Sequence, residues 1–310
     1  MNTADVTNPI FQDETKAREY LEATRWPSGP VCPHCGSVDD QVTKMEGEAH
    51  RKGLYNCKGC RKQFSVTVGT VYERSHIPLH KWLLATHMLT SSKKGMSAHQ
   101  LHRLLGITYK SAWFMCHRIR EGMKDTSAEP MGGAGQHIEA DETYIGNKVG
   151  VKKARSTHHK HAVFSLVERG GRVRSFHVDK VTARELDKIT KANVSLESTL
   201  NTDEALRYVR MGKDFAGHQV VNHGKGHYGL GDHTTNSVEG FFSIFKRGMK
   251  GVYQHCDERH LHRYLAEFDF RYSNRAKLGV TDKERATKAL KGIEGKRLTY
   301  RRINERPATT

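Results

Sequence analysis

Two chemically different sets of metal ligands stand out along this chain. Cys32-Pro-His-Cys35 and Cys57-Lys-Gly-Cys60 are paired thiols. Two such knuckles can set four thiolates around one Zn²⁺ in a tetrahedron, which suits a segment too short to hold itself together by apolar burial. The spacer, residues 36–56, is slightly longer than the about 15–20 residues usual for such sites. The alternative is two unrelated pairs of reduced cysteines. With four thiolates available, His34 is expected to face solvent.

The second set is made of carboxylates. Ile138-Glu-Ala-Asp141-Glu-Thr-Tyr places acids inside a strand-like run, where an unpaired charge is costly. On a strand Glu139 and Asp141 share one face and Glu142 takes the other. Asp203 follows the short run Thr-Leu-Asn-Thr, at a strand end, where open α/β sheets expose functional groups. Glu239 lies in Asn236-Ser-Val-Glu239-Gly-Phe-Phe-Ser-Ile-Phe-Lys246-Arg247, an amphipathic stretch whose helical spacing brings Asn236, Glu239 and Lys246 near one face. Three carboxylates from separate elements can converge on two divalent cations, the arrangement that phosphodiester transfer needs. Hard oxygen ligands select Mg²⁺ or Mn²⁺, whereas thiolates select Zn²⁺.

The elements that must position these groups fall into five segments. Residues 1–75 hold a short amphipathic helix ending near Trp26-Pro27, then the cysteine knuckles with alternating, strand-like Leu54, Tyr55, Phe64, Val66 and Val68, a zinc ribbon. Residues 76–124 read as three helices. Trp82, Leu83, Ala85, Thr86 and Leu89 form one apolar stripe, Leu101, Leu104 and Leu105 a second, and Ala112, Cys116 and Ile119 a third. Gly106 permits a tight turn and Thr108 an N-cap, which is helix-turn-helix grammar. The third helix would then present Lys110, His117, Arg118 and Arg120 to a major groove. An ordinary three-helix packing unit with a solvated charged face is the other reading of the same pattern. Residues 125–136, with Pro130 and three glycines, read as a linker.

Beyond it, residues 137–275 predict strands over 137–145, 161–167 and 172–178, a helix over 182–193, a strand over 198–201 and a helix over 204–211: a mixed sheet flanked by helices, of α/β class. The basic, His-rich loop 147–160 is expected to be a mobile DNA-contacting segment. His218, His223, His227 and His233 form a loose cluster that reads as a second zinc site or as a phosphate-contacting loop, and residues 276–310 as a basic tail.

Composition sets the outer bounds. The chain has 310 residues, 51 Lys and Arg against 34 Asp and Glu, and a net charge of +17 spread along its whole length, which fits a polyanionic partner such as nucleic acid. No run approaches the about 18–20 apolar residues of a membrane span, so a cytoplasmic protein is expected. In that setting six cysteines are not a disulfide framework, and Cys116 and Cys256 are expected to be structural.

Taken together, these motifs resemble the zinc-ribbon DDE transposases of bacterial insertion sequences, in particular the family numbered fifteen ninety-five. The resemblance runs from Cys32-Pro-His-Cys35 through Tyr109-Lys-Ser-Ala-Trp113 and Asp141-Glu-Thr-Tyr144-Ile-Gly146 to His233-Thr-Thr-Asn236-Ser-Val-Glu239, Phe245-Lys-Arg-Gly248 and His260-Leu-His-Arg-Tyr264. It implies a ribonuclease-H-like mixed-sheet catalytic domain preceded by the ribbon and the helix-turn-helix module. Asp141 would lie on its first strand, Asp203 after the fourth and Glu239 on a later helix. It further implies that Asn236 belongs to the active site, that Lys246 and Arg247 contact DNA near the cleaved bond, and that Asp141, Asp203 and Glu239 hold catalytic Mg²⁺. Asn147 departs from the glycine expected at its position, which puts that loop's contacts in doubt. The function implied is binding of the element's terminal inverted repeats followed by cleavage and joining to target DNA, by a homo-oligomer that pairs the ends. A metal-dependent nuclease or resolvase on the same fold, and a zinc-dependent DNA-binding regulator with an inactive sheet domain, are the rival readings.

Overall fold

The computed structural model describes residues 6–221 and 234–299. The chain divides into two units: residues 1–92, 96–123 and 281–310 form the first, and residues 93–95 and 124–280 the second.

In the first unit Asp13 caps helix α1 (Glu14–Arg25), its side chain accepting from the Lys16 amide at 2.7 Å, and the helix buries Ala17 and Leu21. Strands β1 (Val42–Lys44), β2 (Tyr55–Cys57) and β3 (Gln63–Phe64) make an antiparallel sheet in that order. So small a sheet has little core; Trp26 set edge-on to Tyr55 and Phe64 supplies most of it. Three helices follow as the sequence predicts: α2 (Leu79–Ser91), α3 (Ala98–Leu105) and α4 (Tyr109–Met123). Gly106 ends α3 in the left-handed region at φ +60°, a conformation that a Cβ would strain, and the Thr108 hydroxyl accepts from the Ser111 amide at 3.2 Å to start α4.

In the second unit the first three predicted strands appear as β4 (His137–Ile145), β5 (His161–Glu168) and β6 (Val173–Val178), followed by helix α5 (Ala183–Asn193) and strand β7 (Thr199–Asp203). Next come the short helix α6 (Leu206–Val209) and β8 (Gly217–Val221), then α7 (Asn236–Gly248) and α8 (Glu258–Ser273). The five-stranded sheet runs β6-β5-β4-β7-β8, with β5 antiparallel to both of its neighbours β4 and β6, and β7 and β8 parallel to β4. Strand pleating splits the side chains between two cores. Ile138, Ala140, Phe164, Leu166 and Leu200 pack with Leu186 of α5 on one face. Val163, Val167 and Val173 pack with Phe241 and Phe245 of α7 and Leu265 and Phe268 of α8 on the other.

Three segments differ from the sequence expectation. Residues 125–136 are not a free linker: Met131 is fully buried, and the Arg174 guanidinium donates to the Ser127 and Glu129 carbonyls at 3.1 and 2.9 Å. Strand β8 was not foreseen, because Gly217-His-Gln-Val-Val shows no clear alternation. Residues after 280 are not only a tail. Thr281 and Glu284 close a capping box on α9 (Asp282–Lys291), which packs on α1, α2 and α4 of the first unit and buries Ala289 and Leu290.

That packing corrects the exposed basic side expected of α4. His117, Arg118 and Arg120 are buried, Arg120 to 2% exposure. The Arg118 guanidinium donates to the Glu73 carbonyl at 2.6 Å and lies 5.1 Å from the centre of the Trp82 ring. Lys110, in the first turn, is exposed as expected.

Candidate active site

The acids come together on one face of the second unit's sheet. Glu139 of β4 is paired with Asn201 of the parallel β7, and Asp141 and Asp203 each lie two residues further along their strands. Neighbouring strands are about 4.8 Å apart, so Asp203, at the end of β7, stands beside Asp141, midway along β4. They point to the face covered by α7 and α8, since Ala140 and Leu200 point to the opposite core.

Glu239 reaches the same neighbourhood from α7, and the device that brings it there is Glu139. This carboxylate is fully buried. One of its oxygens accepts from the Ser237 and Val238 amides at 2.7 and 3.0 Å, two of the unpaired N–H groups in the first turn of α7. Its other oxygen meets the Arg169 guanidinium at 3.1 Å, and Arg169 in turn donates to the Thr234 carbonyl at 3.0 Å. The strand that carries Asp141 thus holds the helix that carries Glu239. The Thr235 hydroxyl then donates to Glu239 at 3.0 Å, while Asn236, the first helical residue, is exposed.

Electrostatics mark Asp141 as the centre of the group. Burial, then Glu142, and then Asp203 and Glu239, push its carboxyl up to about 7, against a hydrogen bond from the Glu142 amide at 2.7 Å that favours the charged form. A desolvated carboxylate among three others is a place where a cation relieves repulsion. The three acids are not drawn into the shell of a single ion: among the described residues they are not one of the sets whose ligand atoms lie within 4.8 Å of one another.

Glu139 was legible as a neighbour of Asp141 but not as the anchor of α7; the only signal was an acid with a strand position fully inside the core. Glu142 points the other way, as its register predicts. It accepts from the Tyr208 hydroxyl and pairs with Arg207 at 2.9 Å, and burial holds its pKa above the usual range. His218 is also turned away from the acids, its Nε2 2.9 Å from the Thr202 hydroxyl. The rest of the expected histidine cluster, His223, His227 and His233, lies outside the described residues. Of the expected basic contacts on α7, Lys246 is half-buried and Arg247 exposed, the latter donating back to Ser243 of its own helix.

The four cysteines do gather. The sulfurs of Cys32 and Cys60 are 3.7 Å apart, those of Cys35 and Cys57 3.5 Å, and all four lie within 4.8 Å of one another. Tetrahedral Zn²⁺ with bonds of about 2.3 Å requires sulfurs about 3.8 Å apart, so the donor set fits zinc closely. The Ser37 hydroxyl, 3.2 Å from the Cys35 sulfur, lowers that thiol's pKa, while burial and the neighbouring thiols push Cys60 up, the pattern of sulfurs crowded together.

Comparison with known proteins agrees with this division. A model of the ISXO2-like transposase domain matches residues 132–273, and a model of the transposase zinc-ribbon domain matches residues 12–63. A protein of the transposable element ISH50 of Halobacterium salinarum is 28% identical over 280 residues, covering 84% of this chain and 91% of that protein. A chain of a simian T-cell lymphotropic virus intasome, solved with PP2A regulatory subunit B56 gamma, matches at 15% identity and a TM-score of 0.28. That match spans 55% of this chain and 63% of the other, and the likeness is too slight to carry a fold assignment. Among the described residues no helix is long and apolar enough to cross a membrane. Matched by two domain models of one family over well more than half its length, the chain belongs to the IS1595 family of transposases, and its four-cysteine cluster is the structural zinc site of the ribbon.

Proposed function

We propose that this transposase cuts and joins DNA strands at one site built from Asp141, Asp203 and Glu239, with Mg²⁺ or Mn²⁺ as the catalytic metal. Membership of the family makes it an enzyme of the nucleotidyl-transferase type. The observation that carries the finer reading is the tie from Glu139 to the first turn of α7, which supports Glu239 acting with Asp141, midway along β4, and Asp203, at the end of the neighbouring β7. Divalent ions, when bound, supply Lewis-acid activation of the attacking oxygen and stabilise the leaving one. The chain's own part is to hold three carboxylates at fixed spacing, with Asn236 exposed beside them to orient a phosphate. The sheet order, with Asp141 on its first strand and Asp203 ending its fourth, supports a ribonuclease-H-like reading.

DNA recognition belongs to the first unit in this reading. The α3–Gly106–α4 turn supports a helix-turn-helix, and the exposed start of α4, with Lys110, is the part that reaches base edges in such modules. Arg118 and Arg120, being buried, support the helix from inside. Lys246 and Arg247 extend the contact beside the acids, and the partner is duplex DNA carrying the element's ends, bound by a homo-oligomer.

The test is cleavage and joining of a labelled duplex bearing an element end by Asp141→Asn, Asp203→Asn and Glu239→Gln. Each amide variant should lose both reactions, by about a hundredfold to a thousandfold on the scale of other electrostatic stabilisers, and keep binding. Near-normal cleavage by any one would remove that residue from the site. Cleavage without joining in the unaltered protein would favour a nuclease.

A further inference from the structure

The sheet face that holds the acids carries a second cluster with nothing in the proposed reaction to do. His161 begins β5, His177 lies near the end of β6, and Glu258 is the first residue of α8. Val163 pairs with His177, which places both histidines on the side of Val163, beneath α8. His161 Nδ1 and His177 Nε2 lie 3.7 and 3.6 Å from the same Glu258 carboxylate oxygen, and the three ligand atoms fall within 4.8 Å of one another.

Neither ring nitrogen has a hydrogen-bond partner, although both are buried; the His161 side chain is 6% exposed. Buried polar atoms are seldom left in that state, because each costs about 1–3 kcal/mol. Two imidazoles and a carboxylate aimed at one point, too far apart to bond directly, are what a shared ion requires. Bonds of about 2.0–2.1 Å in a tetrahedron separate the ligand atoms by about 3.3–3.4 Å, so the two histidine–glutamate distances need to close by only a few tenths of an ångström.

From this the geometry points to a second transition-metal site, a Zn²⁺-class ion held by His161, His177 and Glu258 with its fourth position open to solvent. It is distinct from the acid cluster. His161 lies across from Ile145, four residues along β4 from Asp141, or about 13 Å at 3.3–3.4 Å per residue. Nitrogen donors select zinc and its neighbours over the Mg²⁺ that the carboxylates would take. Burial holds His177 below its ordinary value, so at neutral pH the ring is uncharged and able to ligate. A metal here clips the start of α8 to the β5–β6 hairpin. Through Phe268, edge-on to Phe245 at 5.1 Å, α8 also braces the helix that bears Glu239.

The test counts zinc in the full chain, with excess Mg²⁺ present to occupy the acids. The unaltered protein should hold one equivalent beyond that of the four cysteines. Glu258→Gln, a change at a half-exposed position, and His161→Gln should each lose it while keeping the cysteine-bound ion. The second-site affinity should drop by more than the 10–100-fold typical of even an outer-shell change. On Co²⁺ replacement the thiolate charge-transfer absorption should persist in both variants and the additional weak d–d absorption should vanish. Equal zinc content and affinity in the unaltered protein and Glu258→Gln would overturn the assignment, and so would loss of the extra equivalent in Asp141→Asn instead.

Discussion

Glu139→Gln isolates the contribution of the strand-to-helix tie. The substitution keeps shape and volume but replaces one carboxylate oxygen with an NH₂ group. In the native arrangement every partner of this side chain is a donor: the Ser237 and Val238 amides on one oxygen and the Arg169 guanidinium on the other. The amide can turn its oxygen to only one side. Facing α7, it sets NH₂ against Arg169 and leaves a cation without its buried partner, a loss of about 3–5 kcal/mol for pairs of this kind. Facing Arg169, it sets NH₂ against two helix amides, each left unsatisfied at about 1–3 kcal/mol. Either way the expected destabilisation is about 2–6 kcal/mol. Cleavage should fall as well, because Glu239 is displaced with the start of α7. The assay is urea unfolding of the second unit's transition beside Mg²⁺-dependent cleavage at a temperature where the variant remains folded. Rate loss should be accompanied by a higher Mg²⁺ requirement, a readout that loss of stability alone would not move. If the variant matches the unaltered protein in stability and in Mg²⁺ dependence, the reasoning from this network fails.

The same electrostatics give Asp141 a pH signature in Mg²⁺-free buffer. Its folded pKa of about 7 is above the ordinary 3.8, so stability is fully present below about pH 4 and falls as pH rises through 7. Asp141→Asn should therefore be more stable than the unaltered protein at pH 8 and no more stable at pH 4, by thermal melts; an advantage equal at both values would refute the shift. In the first unit, Lys110→Ala should weaken duplex binding and lower its salt slope by roughly one ion without changing stability. Arg118→Ala should instead destabilise the unit by about 2–3 kcal/mol through its lost hydrogen bond and its place over Trp82. A reversed pattern in paired melting and binding measurements would restore Arg118 to the DNA-facing set.

Much of the second unit was legible because its signals are local. Alternation over 137–145 set both the strand and the face shared by Glu139 and Asp141, and the short run before Asp203 marked a second strand, which in the structure extends to include it. What the residues alone did not give was the pairing of those strands, since no local pattern says that β4 lies between β5 and β7. Nor could they give the role of Glu139, whose partners are 98 and 99 positions away in sequence. The histidine and glutamate cluster was missed for the same reason. His161, His177 and Glu258 have no motif spacing, because they sit on three elements that only the packing of α8 on β6 brings together.

The misreading of α4 has a different cause, and it narrows where DNA can bind. Its sequence carries an apolar stripe and several cations, which on a lone three-helix unit would leave Arg118 and Arg120 in solvent. The count of apolar positions was right, but the number of packing partners was not. Helix α9, more than 150 residues further along the chain, closes on α2 and α4, and Gly122 and Gly292 allow the approach: a Cβ at Gly292 would come within 2.2 Å of the Gly122 carbonyl oxygen. With that side closed, the cations of α4's second half become interior supports. The exposed charge that remains is at its first turn and on α3, where Arg103 and Lys110 flank the Gly106 turn. A duplex bound here would therefore meet the turn and the start of α4 end-on, with few cations in direct contact, so the +17 charge of the chain must find most of its phosphate contacts elsewhere.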